Sequence, residues 1–250
     1  IGIVGKEGLQ ASLSSDFSIL EFRYLNTLIL WWGRIAYKNT SSMANFVMHR
    51  GLIISLIQFM FSMMFYYNSV ALYNGMLIFG YSTIFTSFPS VTMLLDRDTQ
   101  KTNVIKFPVL YKKLLKGREL YIKSFLYWIM KSIFQAYVIM FGAMFLFSDN
   151  IFLVIVTVTF TSLIFTEILN VYTEIVTFHK YMFISLGGTA ITYLLCLLLL
   201  PNIFDVSFIF KIKTLSFILI LTVIGWFPFF LVNRLKTWLS PENYEKVSKN

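Results

Sequence analysis

The longest uncharged stretch of the sequence runs from Gly51 to Leu95 and contains no Lys, Arg, Asp, Glu or His. Its 45 residues are mainly Ile, Leu, Met and Phe, whereas about 20 apolar residues suffice for one helix across a bilayer. Residues 67–75 in its middle carry tyrosines together with Asn and Gly, which are typical of a bend at a membrane face. The stretch therefore predicts a hairpin of two membrane-spanning helices.

The composition of the whole chain agrees with a membrane protein. Of its 250 residues, 57% are hydrophobic and only 13% are charged, too apolar for a domain whose entire surface faces water. The net charge of +9 comes from basic residues that flank apolar runs, so we expect membrane orientation and no nucleic-acid partner. Because Cys196 is the single cysteine, an intrachain disulfide is excluded.

The N-terminal part differs from the rest. Residues 1–34 combine a strand-like start with glycine turns and a short polar helix pattern, which indicates the end of a soluble α/β domain. A helix from about Ile35 to Tyr67 would be about 50 Å long, so its first half should stand in the cytosol as a stalk. The chain begins with Ile1 and not with Met, and we expect it to be a fragment of a longer protein.

The hydrophobic runs predict an all-α integral membrane fold. We place a six-helix transmembrane domain at residues 35–250, with spans at about 51–67, 75–95, 124–147, 151–175, 181–204 and 214–232. The loop 96–123 carries eight Lys or Arg against three acids, which predicts that this loop and the C-terminal tail are cytosolic. Lys211 and Lys213 are the exceptions, on the far side. Gly187-Gly188 predicts close helix packing in the fifth span.

No residue pattern for catalysis is recognisable. A metal-ligand cluster, a Ser/His/Asp set and a glycine-rich nucleotide loop are all missing from the sequence. We therefore assign no catalytic, cofactor-binding or metal-binding residue to this chain. His49 and His179 lie near predicted cytosolic ends of spans, where interfacial packing is the expected role.

Ionisable residues inside the spans are costly to bury and suggest either a polar pairing or a transport role. Lys131 of the third span and Glu167 of the fourth are the most evident partners. A Lys131–Glu167 pair would be structural.

The helix that returns from the hairpin holds six Ser or Thr residues and Pro89 between Tyr81 and Thr92. Proline removes one helical hydrogen bond, so we expect a kink or an opening there. The hydroxyls either line a polar pathway or bond to their own backbone. Arg50, at the cytosolic end of the facing helix, either binds a lipid phosphate or snorkels. The candidate transport path is Arg50, Gln58, Thr86, Ser87 and Pro89.

Several motifs in the same order resemble the type IV P-type ATPases, the phospholipid flippases, over essentially the whole chain. The resemblance is carried by the segments Ile1–Ala11, Ser15–Ile19, Gly33-Arg34 with Tyr37-Lys38, Met48–Ser55, Gly80–Pro89, Phe107–Lys112 and Gly117-Arg118. It implies that residues 1–34 are the tail of a phosphorylation domain of the HAD-like type. It also implies that ATP and Mg²⁺ are bound by parts of the protein upstream of Ile1.

Two departures resemble one branch of that family. His49-Arg50-Gly51 stands where most flippases have Tyr-Lys-Asn, and Ser82 stands where they have Asn. These changes, with short far-side loops around Asp149 and after Pro201, are similar to the branch that works without an accessory beta subunit. The resemblance implies transport of phosphatidylethanolamine or phosphatidylserine to the cytosolic leaflet, in Golgi and endosomal membranes.

Two alternative functions remain open from the residues alone. A cation-transporting P-type ATPase would need carboxylate ligands in the same two helices, and the hairpin has none. A non-catalytic six-helix channel or scaffold would not need the soluble-domain remnant before Ile35.

Overall fold

The computed structural model describes residues 1–4, 9–67, 69–98, 100–107, 122–147, 152–201 and 203–239. Some sequence predictions fall outside these residues. They concern Gly5–Gly8, Asn68, the cations Lys112, Lys113, Lys116 and Arg118 with the rest of 108–121, the turn around Asp149, Asn202, and the tail 240–250.

Within the described ranges, six helical segments are long and apolar enough to cross a membrane. This confirms the all-α membrane fold. In chain order we call them spans 1 to 6, and their bounds are Tyr24–Met64, Gly75–Leu95, Ile122–Phe147, Phe152–Glu174, Lys180–Leu199 and Ile212–Leu239.

Short elements surround these spans. Span 1 begins with the turn Tyr24–Asn26 and the π-helix Thr27–Gly33, and then continues as the α-helix Arg34–Met64. The other short helices are Leu9–Leu13, Lys101–Lys106 and Val206–Ile209.

Two very short strands lie at the N-terminus. Gly2–Ile3 pairs in parallel with Ser18–Ile19, and the helix Leu9–Leu13 lies between them in the chain. Parallel strands need such a crossover connection, which is typical of α/β units. The division of the chain at residue 34 stays a prediction, since the helical residues 24–33 run directly into the α-helix Arg34–Met64 and belong to span 1.

The hairpin bend follows Met64. Tyr66 and Tyr67 adopt left-handed backbone conformations with φ of 53° and 59°. The amide of Tyr67 donates to Ser62 O at 2.7 Å. A left-handed residue ends a helix because it directs the chain away from the helical axis. Leu72 and Tyr73 then turn back into the core, where they are only 2% and 1% exposed.

Span 4 lies at the centre of the bundle. In its most apolar stretch 72% of the residues are buried, and no other span in the described chain exceeds 39%. The ring of Phe160 contacts Tyr73, Phe85 and Tyr193 at centroid distances of 5.3, 6.3 and 6.0 Å. One side chain of span 4 thereby holds spans 2 and 5 and the hairpin bend together.

The close helix approach expected at Gly187-Gly188 is wrong. A Cβ atom added at either glycine would meet no atom of the described residues within 4 Å. At Gly142 in span 3, by contrast, an added Cβ would lie 2.2 Å from Leu221 Cδ2 of span 6. Among the described glycines of the spans, Gly142 therefore makes the closest approach to another span.

A group of polar contacts fastens span 1 to the end of span 2 and to the segment that follows it. The guanidinium of Arg34 donates to both carboxylate oxygens of Asp98, and Lys38 Nζ donates to Asp98 Oδ2 at 3.0 Å. Asn39 Nδ2 donates to the carbonyls of Leu94 and Asp96 at 2.9 and 2.8 Å. We call these contacts the stalk latch.

The stalk latch is buried and strongly charged. The side chains of Arg34 and Asp98 are only 6% and 4% exposed. Burial by itself would raise the pKa of Asp98, but the hydrogen bonds and charges of Arg34 and Lys38 outweigh it and hold that pKa well below its ordinary value. The latch thus favours an ionised Asp98 in the folded state.

We predict that Asp98→Asn weakens the latch by about 3–5 kcal/mol, because Arg34 then stays buried without its counter-ion. Hydrogen exchange of residues 93–98 in the purified protein measures this loss as faster local opening. In the wild type the Asp98 contribution is complete above pH ~4, the ordinary carboxyl value, and is lost as the pH falls towards the depressed folded value.

The control for this prediction is Glu21→Gln. Glu21 pairs with Arg23 where the side chains are 54% and 72% exposed, so its removal should change stability by less than about 1 kcal/mol. Equal exchange in Asp98→Asn and Glu21→Gln would contradict a stabilising latch.

Candidate functional site

Span 2 is not one regular helix. It consists of the α-helix Gly75–Gly80, the π-helix Tyr81–Phe85, the α-helix Ser87–Thr92 and the 3₁₀ turn Met93–Leu95. Pro89 has no amide hydrogen to donate to the carbonyl four residues before it, so a regular α-helix cannot continue through this region. The sequence predicted a kink or an opening here, and the wider π-turn ends at Phe85, four residues before Pro89.

Side-chain hydroxyls satisfy the carbonyls in the wide turn. Tyr81 O accepts the amide of Thr86 at 3.2 Å and its hydroxyl at 2.7 Å, and Ser82 O accepts the Ser87 hydroxyl at 2.6 Å. In a membrane such carbonyls have no water to bind, and leaving them without a donor would cost several kcal/mol each.

The remaining Ser and Thr hydroxyls of span 2 also bond to their own helix. Their acceptors are Phe79 O for Ser82 and Thr83, Ser87 O for Ser90, and Pro89 O for Thr92. Of the two predicted roles, these hydroxyls therefore donate to the backbone of their own helix. Their oxygen lone pairs can still accept a hydrogen bond from another group.

Arg50 of span 1 uses those lone pairs. Its Nη1 donates to Thr86 Oγ1 at 2.8 Å, to Ser87 Oγ at 3.3 Å and to Ser82 O at 3.3 Å. We call this group, Arg50 with Ser82, Thr86 and Ser87, the arginine cradle. The Arg50 side chain is half-buried, and none of the ion pairs among the described residues includes it.

Within the cradle, the Arg50 guanidinium donates all its hydrogen bonds from one nitrogen atom, Nη1. A guanidinium has five N–H donors in a planar fork, which can bind a phosphate through two parallel hydrogen bonds. Nη2 and Nε make no hydrogen bond to the described residues, so they keep donors for a further acceptor.

Gln58 lies further along span 1, at the hairpin bend. Its Oε1 accepts the amide of Leu72 at 2.8 Å, and its Nε2 donates to Val70 O at 3.2 Å and to Ser62 Oγ at 3.4 Å. The structure thus places Gln58 as an anchor of the bend, apart from the arginine cradle. Pro89 is buried in the helix that follows the wide turn.

A second polar group lies behind the cradle, deep in the bundle. The hydroxyl of Tyr81 donates to Arg50 O at 2.9 Å and lies 3.3 Å from Glu167 Oε1, which is 3.5 Å from His49 Nε2. His49 and Glu167 are 0% and 2% exposed. The expected interfacial position of His49 is wrong, since its ring lies among spans 1, 3 and 4.

His49 continues into a chain of amides. Its Nδ1 lies 2.6 Å from Ser132 Oγ and its Nε2 lies 3.0 Å from Asn170 Nδ2. Asn170 and Gln135 exchange two hydrogen bonds of 3.0 and 3.1 Å, and Gln135 Nε2 reaches Gly225 O of span 6 at 3.3 Å. We call these residues with Tyr81 and Glu167 the buried network.

Lys131 pairs with a different acid from the one expected. Its Nζ lies 3.9 Å from Glu174 Oε1 and 4.3 Å from the centre of the Trp128 ring. The predicted Lys131–Glu167 pair is therefore wrong. Glu167 and Glu174 are two helical turns apart on one face of span 4, and Lys131 reaches only the second.

In the described part of the chain, no group of three or more His, Cys, Asp and Glu side chains is arranged to hold a metal ion. The one carboxylate in contact with span 2 in the buried network, Glu167, meets Tyr81 and not Pro89.

Comparisons with known proteins identify the family to which this chain belongs. Residues 12–242 match the model of the C-terminal region of phospholipid-translocating P-type ATPases. The chain belongs to this ATPase family. It is 43% identical over 248 residues to a probable phospholipid-transporting ATPase IIB of Danio rerio, which covers 99% of this chain and 22% of that protein.

Two further relatives of this ATPase chain come from distant organisms. The probable phospholipid-transporting ATPase tat-5 of Caenorhabditis elegans is 40% identical over 248 residues, covering 99% of this chain and 23% of that protein. The phospholipid-transporting ATPase NEO1 of Saccharomyces cerevisiae is 37% identical over 256 residues, covering 100% and 22%. The chain thus spans about a fifth of the length of these relatives.

The sequence of this P-type ATPase chain indicated Arg50, Thr86 and Ser87 together, and the structure joins them in the cradle. It missed His49, Tyr81 and Glu167 as members of one network. A signal was available for His49: adjacent helical residues point about 100° apart, so His49 and Arg50 cannot share one environment.

For the ATPase chain we predict that Gln58→Leu loosens the hairpin bend. The buried amide of Leu72 would lose its acceptor, at a cost of about 1–3 kcal/mol, so hydrogen exchange of residues 70–73 should become faster. Ser55→Ala is the control, because the exposed Ser55 hydroxyl only donates to Gly51 O within its own helix. Unchanged exchange in Gln58→Leu would show that Gln58 does not anchor the bend.

Proposed function

We propose that this chain is the C-terminal membrane part of an ATP-driven flippase that moves phosphatidylethanolamine or phosphatidylserine from the lumenal or exoplasmic leaflet to the cytosolic leaflet. The observation that carries the proposal is the arginine cradle. It offers a half-buried cation that has no acidic partner among the described residues, next to a stretch, residues 51–95, without charged side chains.

The chemistry of the cradle suits a lipid headgroup. A phosphodiester is an anion that a guanidinium binds through paired hydrogen bonds, and a zwitterionic headgroup brings little net charge into the membrane. Thr86 and Ser87 each already donate to a backbone carbonyl. When Arg50 turns to a phosphate, those carbonyls therefore keep their donors, and the wide turn of span 2 need not collapse.

The stalk latch supports a coupling route. Phosphorylation-driven movement of an upstream domain would reach the membrane through span 1, which carries both the latch residue Arg34 and the cradle residue Arg50. Because Asp96 also accepts the amide and the hydroxyl of Thr177 at 2.9 and 2.8 Å, a shift of the latch would be transmitted to the segment that directly follows span 4 as well.

Other parts of the proposal rest on the family. ATP and Mg²⁺ would be bound by upstream parts of the full-length protein, and none of the cradle residues takes part in that chemistry. We infer further that the protein works without an accessory beta subunit, in Golgi and endosomal membranes. These inferences follow from the resemblance of His49-Arg50-Gly51 and Ser82 to one branch of the flippases.

Cation transport is less compatible with this hairpin. A hard cation needs several oxygen ligands, usually with carboxylates among them. Spans 1 and 2 contribute no carboxylate between Gly51 and Leu95. Among the described residues, Glu167 is hydrogen-bonded to this region through Tyr81.

The test uses Arg50→Ala and Arg50→Lys in the full-length protein, reconstituted with phosphatidylethanolamine or phosphatidylserine. Loss of a charge-assisted hydrogen bond of about 1.5–3 kcal/mol should raise the half-saturating lipid concentration about ten- to a hundredfold in Arg50→Ala. Arg50→Lys should lie in between, because an ammonium keeps the charge but loses the paired geometry.

Phosphorylation from ATP should remain close to the wild-type level in both variants. Arg23→Ala, which removes an exposed arginine far from the hairpin, should leave lipid stimulation unchanged. Unaltered lipid stimulation in Arg50→Ala would remove Arg50 from the transport path, and stimulation by a metal cation in place of lipid would favour the cation pump.

A further inference from the structure

The hydrogen atoms of the buried network can be assigned from one fixed point. The carbonyl of Gly225 can only accept, so the atom of Gln135 that lies 3.3 Å from it must be the amide nitrogen. The same nitrogen lies 3.1 Å from Asn170 Oδ1, and the Gln135 oxygen accepts from Asn170 Nδ2 at 3.0 Å. One backbone group thereby fixes the orientation of both side-chain amides.

The assignment continues to His49. Asn170 Nδ2 has a second hydrogen, and the atom 3.0 Å from it is His49 Nε2, which must accept. The ring hydrogen is therefore on Nδ1 and is donated to Ser132 Oγ at 2.6 Å, whose own hydrogen goes to Trp128 O at 2.9 Å. His49 is a neutral imidazole in this network.

Glu167 faces this neutral ring, and its Oε1 has to share the hydroxyl hydrogen of Tyr81 with a second acceptor. Tyr81 has a single hydroxyl hydrogen, and Arg50 O at 2.9 Å is a closer acceptor for it than Glu167 Oε1 at 3.3 Å. Glu167 Oε2 has no hydrogen-bond partner among the described residues. An ionised carboxylate would be poorly solvated here, whereas a protonated one can donate from Oε1 to the Tyr81 oxygen.

The surrounding charges also have to be counted. The charged or titratable groups that face Glu167 are His49 and Arg50 of span 1, Tyr81 of span 2 and Lys131 of span 3. Lys131 favours an anion, but its nearest acid is Glu174. Span 6 contributes the Gly225 carbonyl to the network, and among the described residues spans 5 and 6 contribute no charged group to it.

We propose that Glu167 is a proton-binding site, occupied in this structure as a neutral carboxylic acid, whose proton keeps Arg50 available for the lipid phosphate. When the proton is lost, the O–H electron pair stays on the carboxylate and the proton passes to water. The new anion lies next to Tyr81 and becomes a counter-ion for Arg50. Arg50 then holds a phosphate more weakly. The effect on lipid phosphate rests on the proposed function, whereas the protonation of Glu167 does not.

The proton is tested by infrared spectroscopy of the full-length protein at neutral pH. The wild type should show the carbonyl stretch of a protonated carboxylic acid, which Glu167→Gln should remove and Glu174→Gln should retain. Glu174→Gln is the matched control because it changes the other glutamate of the same helix face. A spectrum that loses no such band in Glu167→Gln would overturn the proton site.

A second measurement uses the wild type alone, so it tests the proton site even if the Glu167→Gln protein does not fold. The same band, followed in glutamate-labelled wild type, should disappear reversibly as the pH is raised. A band that is missing at neutral pH, or that does not titrate, would overturn the proposal.

The consequence is tested through the pH dependence of lipid stimulation. In the wild type the half-saturating lipid concentration should rise several-fold from neutral to alkaline pH, because Glu167 becomes an anion. Glu167→Gln keeps a neutral side chain that can donate to Tyr81, so it should fold, respond to lipid and lack this rise. Glu167→Ala removes the side chain that donates to Tyr81, so this variant should not have the wild-type affinity for lipid.

The outcomes separate the two proposals. If Glu167→Gln removes the infrared band but the wild type shows no lipid stimulation at any pH, the proton site stands and the flippase function fails. If lipid stimulation is present and Glu167→Gln shows the wild-type pH profile, the flippase function stands and the link from Glu167 to Arg50 is overturned.

Discussion

The constraint on which this structure depends is that a backbone carbonyl in the hydrocarbon core must find its hydrogen-bond donor within the protein. Pro89 interrupts the regular pattern in span 2, and the wide turn before it changes the partners of Tyr81 O and Ser82 O. The hydroxyls of Thr86 and Ser87 supply new donors. Their lone pairs in turn hold Arg50, so a local backbone problem creates a place for a cation at membrane depth.

Charge balance determines what this cation can do. Lys131 has Glu174 nearby, and the latch pairs Arg34 and Lys38 with Asp98. Arg50 has only neutral oxygens as hydrogen-bond partners in the described chain. A cation that is held by dipoles and has unused donors is well suited to an anionic ligand that comes and goes, because exchanging neutral acceptors for a phosphate gains charge-assisted hydrogen bonds.

The sequence predicted much of this fold because long apolar runs have few alternatives to spanning helices. It predicted the opening near Pro89 for the same local reason. It could not predict which acid Lys131 meets, since Glu167 and Glu174 share one helix face and only the packing of spans 3 and 4 distinguishes them. Nor could it separate Gly142 from Gly187-Gly188, because all are glycines in apolar helices and only the position of Leu221 makes one of them a close contact.

The most direct test of the account is a structure of the full-length protein trapped with phosphatidylethanolamine. We expect the lipid phosphate within hydrogen-bond distance of the Arg50 guanidinium, while the hydroxyls of Thr86 and Ser87 still donate to Tyr81 O and Ser82 O. A phosphate bound elsewhere, with Arg50 unchanged in its cradle or paired with Glu167, would contradict the central role of Arg50.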